Sequence, residues 1–412
     1  MPARLPFSER KTPWRGVLDL ATGCYPAFLF GGGLGRWLPV FHFHEATPGK
    51  LAPYLDYLAQ NGYRTVTSDA VAAYAREGRH PGLRSVALCF DDAWASLWTV
   101  AAPLLRKHGF QAITYVHPGR VADAPDVRPT IESPGGADPR VDQSATPFAT
   151  WPELRALQAS GVIDVQAHTL WHAMINCAPE IAGFVMPDFP HRHLHLYPRI
   201  MTAVGERFLS PDDLGAPLYP ERSRYSDALR YDNPEACDAC VRHVREHGGA
   251  AFFERPDWEA TLHAVAAAAG QGRHESPTER DAAILADLAG AREQLNAGLR
   301  ADTVRHLCFP WAVAGSASVK AAEKAGYVTA FSDRLFGGRS VRPGDPPYQL
   351  MRLKHRYIFC LPGQGRRTVL SANTSTTRGG QPLGTVEGPD LASGCSAARR
   401  EVAPYKRTEA SA

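Results

Sequence analysis

Two adjacent carboxylates, Asp91 and Asp92, follow the apolar run Val86-Ala87-Leu88-Cys89-Phe90, and two histidines, His168 and His172, stand four apart after the alternation Val162, Ile163, Val165. Carboxylates at the end of a buried strand cost free energy unless something pairs with them. One Asp with two His is a common three-ligand set for a divalent metal ion, and it leaves positions open for water and substrate. If residues 168–172 form a helical turn, both imidazoles share one face and can converge on one ion. Each half alone has a plainer reading: the Asp pair also fits a helix N-cap and its neighbour, and a His pair at this spacing is often incidental. The two together are far more specific.

These side chains need strands that carry them to one place. Residues 39–43, 86–90, 113–116 and 162–166 read as apolar strands, and 51–60, 96–108 and 151–160 have helical spacing between them. Such alternation implies parallel strands with right-handed crossovers, whose C-terminal ends hold the chemistry in both barrels and open sheets. The Pro-, Gly-, Asp- and Ser-rich stretch 119–148 predicts a long surface loop.

Beyond the His pair the chain is longer than a simple barrel needs, and residues 177–271 read as an insertion on the active-site side, mostly helical. Asn233-Pro234 opens one helix that stops at Gly248-Gly249, 257–269 forms a second, and the capping box Ser276-x-x-Glu279 starts a third that runs to about 299. Arg222, Arg224 and Tyr225 form a cluster that could clamp a sugar, a phosphate or a carboxylate; the plainer alternative is that they pack and solvate a loop. A strand at 328–331 and a final strand at 350–359 complete the pattern. Residues 1–36, with the cluster Gly31-Gly32-Gly33-Leu34-Gly35, read as a flexible lead-in, 37–363 as the main domain, and 364–412 as a disordered tail.

The 412 residues carry a formal net charge of +3 and no basic run with interleaved aromatics, which argues against nucleic acid as a partner. Eight scattered cysteines in a chain this long do not make a disulfide scaffold, and Cys237-x-x-Cys240 sits in a helical pattern with no second pair nearby. Residues 17–30 lack the pattern of a secretion signal, and no run reaches the ~18 apolar residues of a membrane span. The expectation is a cytoplasmic protein with no membrane span; oligomeric state is left open.

Phe90-Asp91-Asp92 followed by a small residue, with His168-Thr169-x-x-His172, resembles the two signature motifs of the polysaccharide deacetylases, the NodB-type carbohydrate esterases of family four. Their usual forms are Thr-Phe-Asp-Asp-Gly and Ser-His-Thr-x-x-His; here Cys89, Ala93 and Ala167 replace the Thr, Gly and Ser. Further blocks are similar: Leu38 to His44 to the family's first strand, Asn61-Gly62-Tyr63-Arg64-Thr65 to its first turn, Trp151-Pro152-Glu153-Leu154 to the helix before the His motif, and His306-Leu307-Cys308-Phe309-Pro310-Trp311 to its third motif.

The resemblance implies an irregular (β/α) barrel. It implies that Asp92, His168 and His172 bind a divalent metal, zinc first, with cobalt and nickel also fitting, and that Asp91 is the base. Leu353-Lys354-His355 matches the Leu-x-His spacing of the family's acid, whereas Met351-Arg352-Leu353 matches an alternative, arginine-bearing last strand. Pro310 and Trp311, the latter in place of the family's Tyr, and His44 at the end of the first strand would line the substrate pocket. The implied activity is removal of an N-acyl group, acetyl first, from an amino sugar or glycan. An amidohydrolase on a non-sugar or cyclic amide, or a non-catalytic carbohydrate-binding protein, are the alternatives.

Overall fold

Six parallel strands form a ring, and one short segment closes it. The computed structural model describes residues 26–189, 199–202, 205–333 and 339–368. They belong to one compact unit, Met1–Ala372; Asn373–Ala412 lie outside the described residues, with most of the expected tail. The strands are β1 (Val40–Phe43), β2 (Arg64–Thr65), β3 (Ser85–Asp91), β4 (Ala112–Val116), β5 (Ile163–Ala167), β6 (His306–Cys308), β7 (Thr329–Asp333), β8 (Leu350–Met351) and β9 (Leu353–Lys354). Their order is β8-β7-β6-β5-β4-β3-β1-β9, with β2 pairing at the start of β3. The two ends of that order, β8 and β9, are halves of one segment separated by Arg352, so the sheet curls into a barrel that closes through this residue.

Alternation along each strand sorts its residues. In β3, Val86, Leu88 and Phe90 join the large outer core, while Ala87 and Cys89 face the barrel interior with Val40, Ile113, Tyr115, Cys308 and Phe331. Asp91 continues the interior parity at the strand's C-terminal end. The outer core packs under α1 (Pro48–Gln60), α4 (Trp151–Ala159) and α7 (Pro277–Leu299). Helix α2 (Ser68–Glu77) contributes Val71, Tyr74 and Ala75 to the interior cluster and covers the end where the strands begin. The expected helix 96–108 is a π turn over Leu97–Ala101 that runs into α3 (Ala102–Lys107). Helix α8 (Ser316–Lys324) follows β6.

Between β5 and α7 lies the insertion, and it is less helical than expected. Two helices, α5 (Pro234–Glu246) and α6 (Trp258–Ala269), pack around Phe184, Cys240, Val244, Phe252 and Leu262. Four two-stranded antiparallel ribbons accompany them, among them Met174–Asn176 with Glu221–Ser223. The helices start where the Asn233 cap and the Ser276 capping box place them. The ribbons are two to four residues long, too short for periodicity to register.

Two boundaries also move. In the expected lead-in, residues 1–25 lie outside the described residues, but Phe28 and Leu29 are buried in the main core. The Arg366 guanidinium, from the stretch read as tail, binds the carbonyls of Phe28, Gly31 and Gly32. The glycine cluster is thus a docked turn at its start, held by a cation rather than cradling an anion. The final strand ends at Lys354, and His355–Cys360 is a 3₁₀ turn.

Candidate active site

Three adjacent strands deliver their next residues to the same point at the barrel's C-terminal mouth. Asp91 pairs in register with Tyr115, and Val116 with Ala167, so the residues just after β3, β4 and β5 are neighbours. These are Asp92, His117 and His168. His172 returns to the same place through a turn that is not helical: Thr169 and His172 both have left-handed backbone, φ 68° and 54°. The two imidazoles of the motif do meet, with ring centroids 4.9 Å apart.

Left-handed backbone recurs around the mouth at Asp92, Ala93, Trp311 and Ala312. Non-glycine residues held there carry strain that the surroundings must impose. Trp311 is held edge-on to His172, 4.3 Å between centroids, beside the buried Pro310. It therefore lies against the histidine pair of the second motif.

Asp92 divides its oxygens between two tasks. Its Oδ2 accepts from the Trp94 indole N–H at 3.3 Å. Its Oδ1 is buried without a hydrogen-bond partner and lies 3.6 Å from His168 Nε2 and 3.5 Å from His172 Nε2. His168 hydrogen-bonds through Nδ1 to the Cys308 carbonyl at 2.6 Å, which directs its Nε2 inward. Burial pushes His168 down to about 4 and His172 to about 3, so both are neutral near pH 7, the form that binds a metal. Asp92, His168 and His172 offer one ligand atom each, all within 4.8 Å of one another. An orphaned carboxylate oxygen facing neutral imidazoles is what a divalent transition ion requires, so the residues fit it.

Asp91 has a different partner. Arg352, inside the barrel at the break between β8 and β9, donates to both its oxygens at 2.5 and 2.8 Å. Burial alone would push the Asp91 carboxyl up; Arg352, with His168 and His44, holds it far below the usual carboxylate range. His42 and His44 present ring nitrogens to the same carboxylate, His44 Nε2 at 3.9 Å from Oδ2. His44 is exposed at the mouth, whereas burial, with Arg352 beside it, pushes His42 well below the usual imidazole value.

Not every expected site residue arrives here. His355 stacks on Phe43 at 4.9 Å, meets Tyr54 edge-on and hydrogen-bonds the His42 carbonyl at 3.2 Å. Because the strand ends one residue earlier, its ring packs with the outer-core aromatics, and burial pushes it down to about 4. In the insertion, Arg224 forms a buried two-point pair with Glu275 at 2.6 and 2.9 Å, and the Tyr225 hydroxyl donates to Asp287 at 2.6 Å. Arg222 lies 3.4 Å from Asp227. Arg224 is therefore held by an ion pair inside the insertion, while Tyr225 joins the main core against Phe309 and ties it to Asp287 on α7, which also accepts from the Leu170 amide of the His motif. Cys237 and Cys240 are buried on α5 with thiols pushed up by burial to about 12 and about 11, unsuited to redox or metal work.

Sequence reasoning missed His42 and His117 and left Arg352 as one of two readings. His42 and His117 each sit at or near the end of an apolar strand, the signal that singled out Asp91 and Asp92; His42 also stands two before His44, on the same strand face, whereas His117 belongs to no spaced pair. The closing of the ring that brings Arg352 to Asp91 leaves no local trace.

The barrel thus gathers Asp and His side chains at its C-terminal mouth, the end where such barrels hold their chemistry. Residues 78–182, spanning both motifs, match the model of the polysaccharide deacetylase family. A poly-beta-1,6-N-acetyl-D-glucosamine N-deacetylase of Escherichia coli K12 is 26% identical over 150 residues, 36% of this chain and 21% of that protein. The chain thus matches about a fifth of the length of that relative. Among solved structures, the BpsB deacetylase domain of Bordetella bronchiseptica superposes at a TM-score of 0.49 with 16% identity, over 78% of this chain and 97% of that one. IcaB of Ammonifex degensii gives 0.43 and 17%, over 77% and 92%.

Proposed function

We propose that the protein is a metal-dependent N-deacetylase acting on an N-acetylated amino sugar or glycan. The observation that carries this reading is the buried, unpartnered Asp92 Oδ1 set between the Nε2 atoms of His168 and His172. The Escherichia coli relative, a poly-beta-1,6-N-acetyl-D-glucosamine N-deacetylase, supports the sugar amide as substrate.

Asp92, His168 and His172 would hold the ion. When bound, a divalent ion acts as a Lewis acid on an acyl oxygen and lowers the pKa of its water towards ~7. Asp91, ionised and fixed by Arg352, accepts the proton of the attacking water. The same guanidinium makes Asp91 a weak base, so the proton must pass on. His44, 3.9 Å from Asp91 and open to solvent, is placed to receive it and to protonate the departing amine. Trp311 and Pro310 wall the acyl side of the site.

Metal content of the purified protein and acetate release from N-acetylglucosamine oligomers test the reading. We expect about one zinc, cobalt or nickel ion per chain and acetate release that a chelator abolishes. A protein that takes up none of these metals and releases no acetate overturns it.

A further inference from the structure

The mouth holds a third imidazole that no motif includes. His117 follows β4 as Asp92 follows β3 and His168 follows β5, so it holds the same station on the intervening strand. It is fully buried, and neither ring nitrogen has a hydrogen-bond partner. Its Nε2 points at the oxygen the motif histidines face: Asp92 Oδ1 lies 3.7 Å away, beside the 3.6 and 3.5 Å of His168 and His172.

A buried imidazole with two unsatisfied nitrogens is costly unless a ligand uses one of them. Phe148, returning from the long loop, sits edge-on to the ring at 4.6 Å and fixes its plane. Ligands about 2.0–2.1 Å from a tetrahedral ion stand about 3.3 Å from one another. The three separations from Asp92 Oδ1 exceed that by only a few tenths of an ångström. His117 lies outside the set of Asp92, His168 and His172, whose ligand atoms are all within 4.8 Å of one another, and meets it through Asp92, so its ring must turn inward to share their ion.

We infer that His117 is a fourth protein ligand, so that the ion is held by three imidazoles and one carboxylate. The inference rests on the reading of Asp92, His168 and His172 as a metal site. Three imidazoles favour zinc, cobalt, nickel or copper over magnesium and calcium, which take oxygen ligands. They also leave fewer positions for water and acyl oxygen than a two-histidine set, so the ion must expand its coordination to take the substrate.

Zinc-loaded wild-type protein examined by zinc-edge X-ray absorption is the first measurement, because it needs no variant to fold. Three imidazoles per zinc are expected. In parallel, zinc affinity of His117→Phe, which keeps a ring against Phe148, is measured by competition with a chromophoric chelator. The affinity should fall by more than the about 10–100-fold that loss of an outer-sphere partner costs. Two imidazoles per zinc in the wild type overturns the inference whatever the variant does, and so does unchanged affinity in a folded variant. Failure of the wild type to bind any of these metals overturns the metal-site reading itself, a different result.

Discussion

The barrel mouth and the insertion bury the same kinds of residue to opposite ends. In the insertion the cations meet anions: Arg224 with Glu275, Arg222 with Asp227, Arg230 with Asp232 and Arg207 with Asp213. Glu275 also accepts from the Leu229 amide. At the mouth, Asp92 Oδ1, both nitrogens of His117 and His172 Nδ1 are buried without partners, on a backbone held left-handed at six positions from Asp92 to Ala312. Buried polarity that is satisfied is architecture, and buried polarity kept unsatisfied is a site. Asp91 lies between the two, closed by Arg352 yet facing the pocket.

The comparison breaks most sharply at Asp91. Asp91→Asn should lower kcat/KM for acetate release by about 10²–10⁴-fold, and full activity in that variant would remove the base from the mechanism. Next is a stability effect in the insertion: Arg224→Met strands the Glu275 charge and should cost about 3–5 kcal/mol in denaturant unfolding, with zinc affinity unchanged in the fraction that stays folded. A loss of zinc affinity there would mean that the insertion is part of the site.

The third test is acidification. His168 and His355 are pushed down to about 4 and His172 to about 3 by burial, from about 6.5 in an unfolded chain. Protons therefore bind the unfolded chain first, so the metal-free protein keeps this stability above about pH 6.5 and loses it as the pH falls towards 4. Its Tm should drop across that window, and a flat Tm would show that these rings are solvated. A smaller effect is expected from Ala93→Gly, which places glycine at φ 51° and should stabilise by about 1 kcal/mol with activity retained. Last, His355→Gln should leave kcat within its order of magnitude, since the ring lies against Phe43 and Tyr54.

The parallel alternation, the capped helices of the insertion and the meeting of Asp92 with His168 and His172 were all legible, because each rests on local pattern or on two motifs read together. What was not legible is non-local. The end of the last strand one residue before His355 depends on how the ring closes. Whether Arg224 reaches solvent depends on Glu275, far along the chain. Composition shows an Arg-Tyr cluster but not whether its charges are already spent.

The closing segment ties assembly to chemistry. β1, the first strand of the barrel, is paired on one side by β3, but its other edge is closed only by Leu353 and Lys354. The same segment carries Arg352 to Asp91. Until it docks, the chain has both an open strand edge and an uncompensated carboxylate in its interior. The closing segment of the barrel thus seals the ring and arms the site in one step, and a barrel lacking it would keep every expected ligand yet have neither.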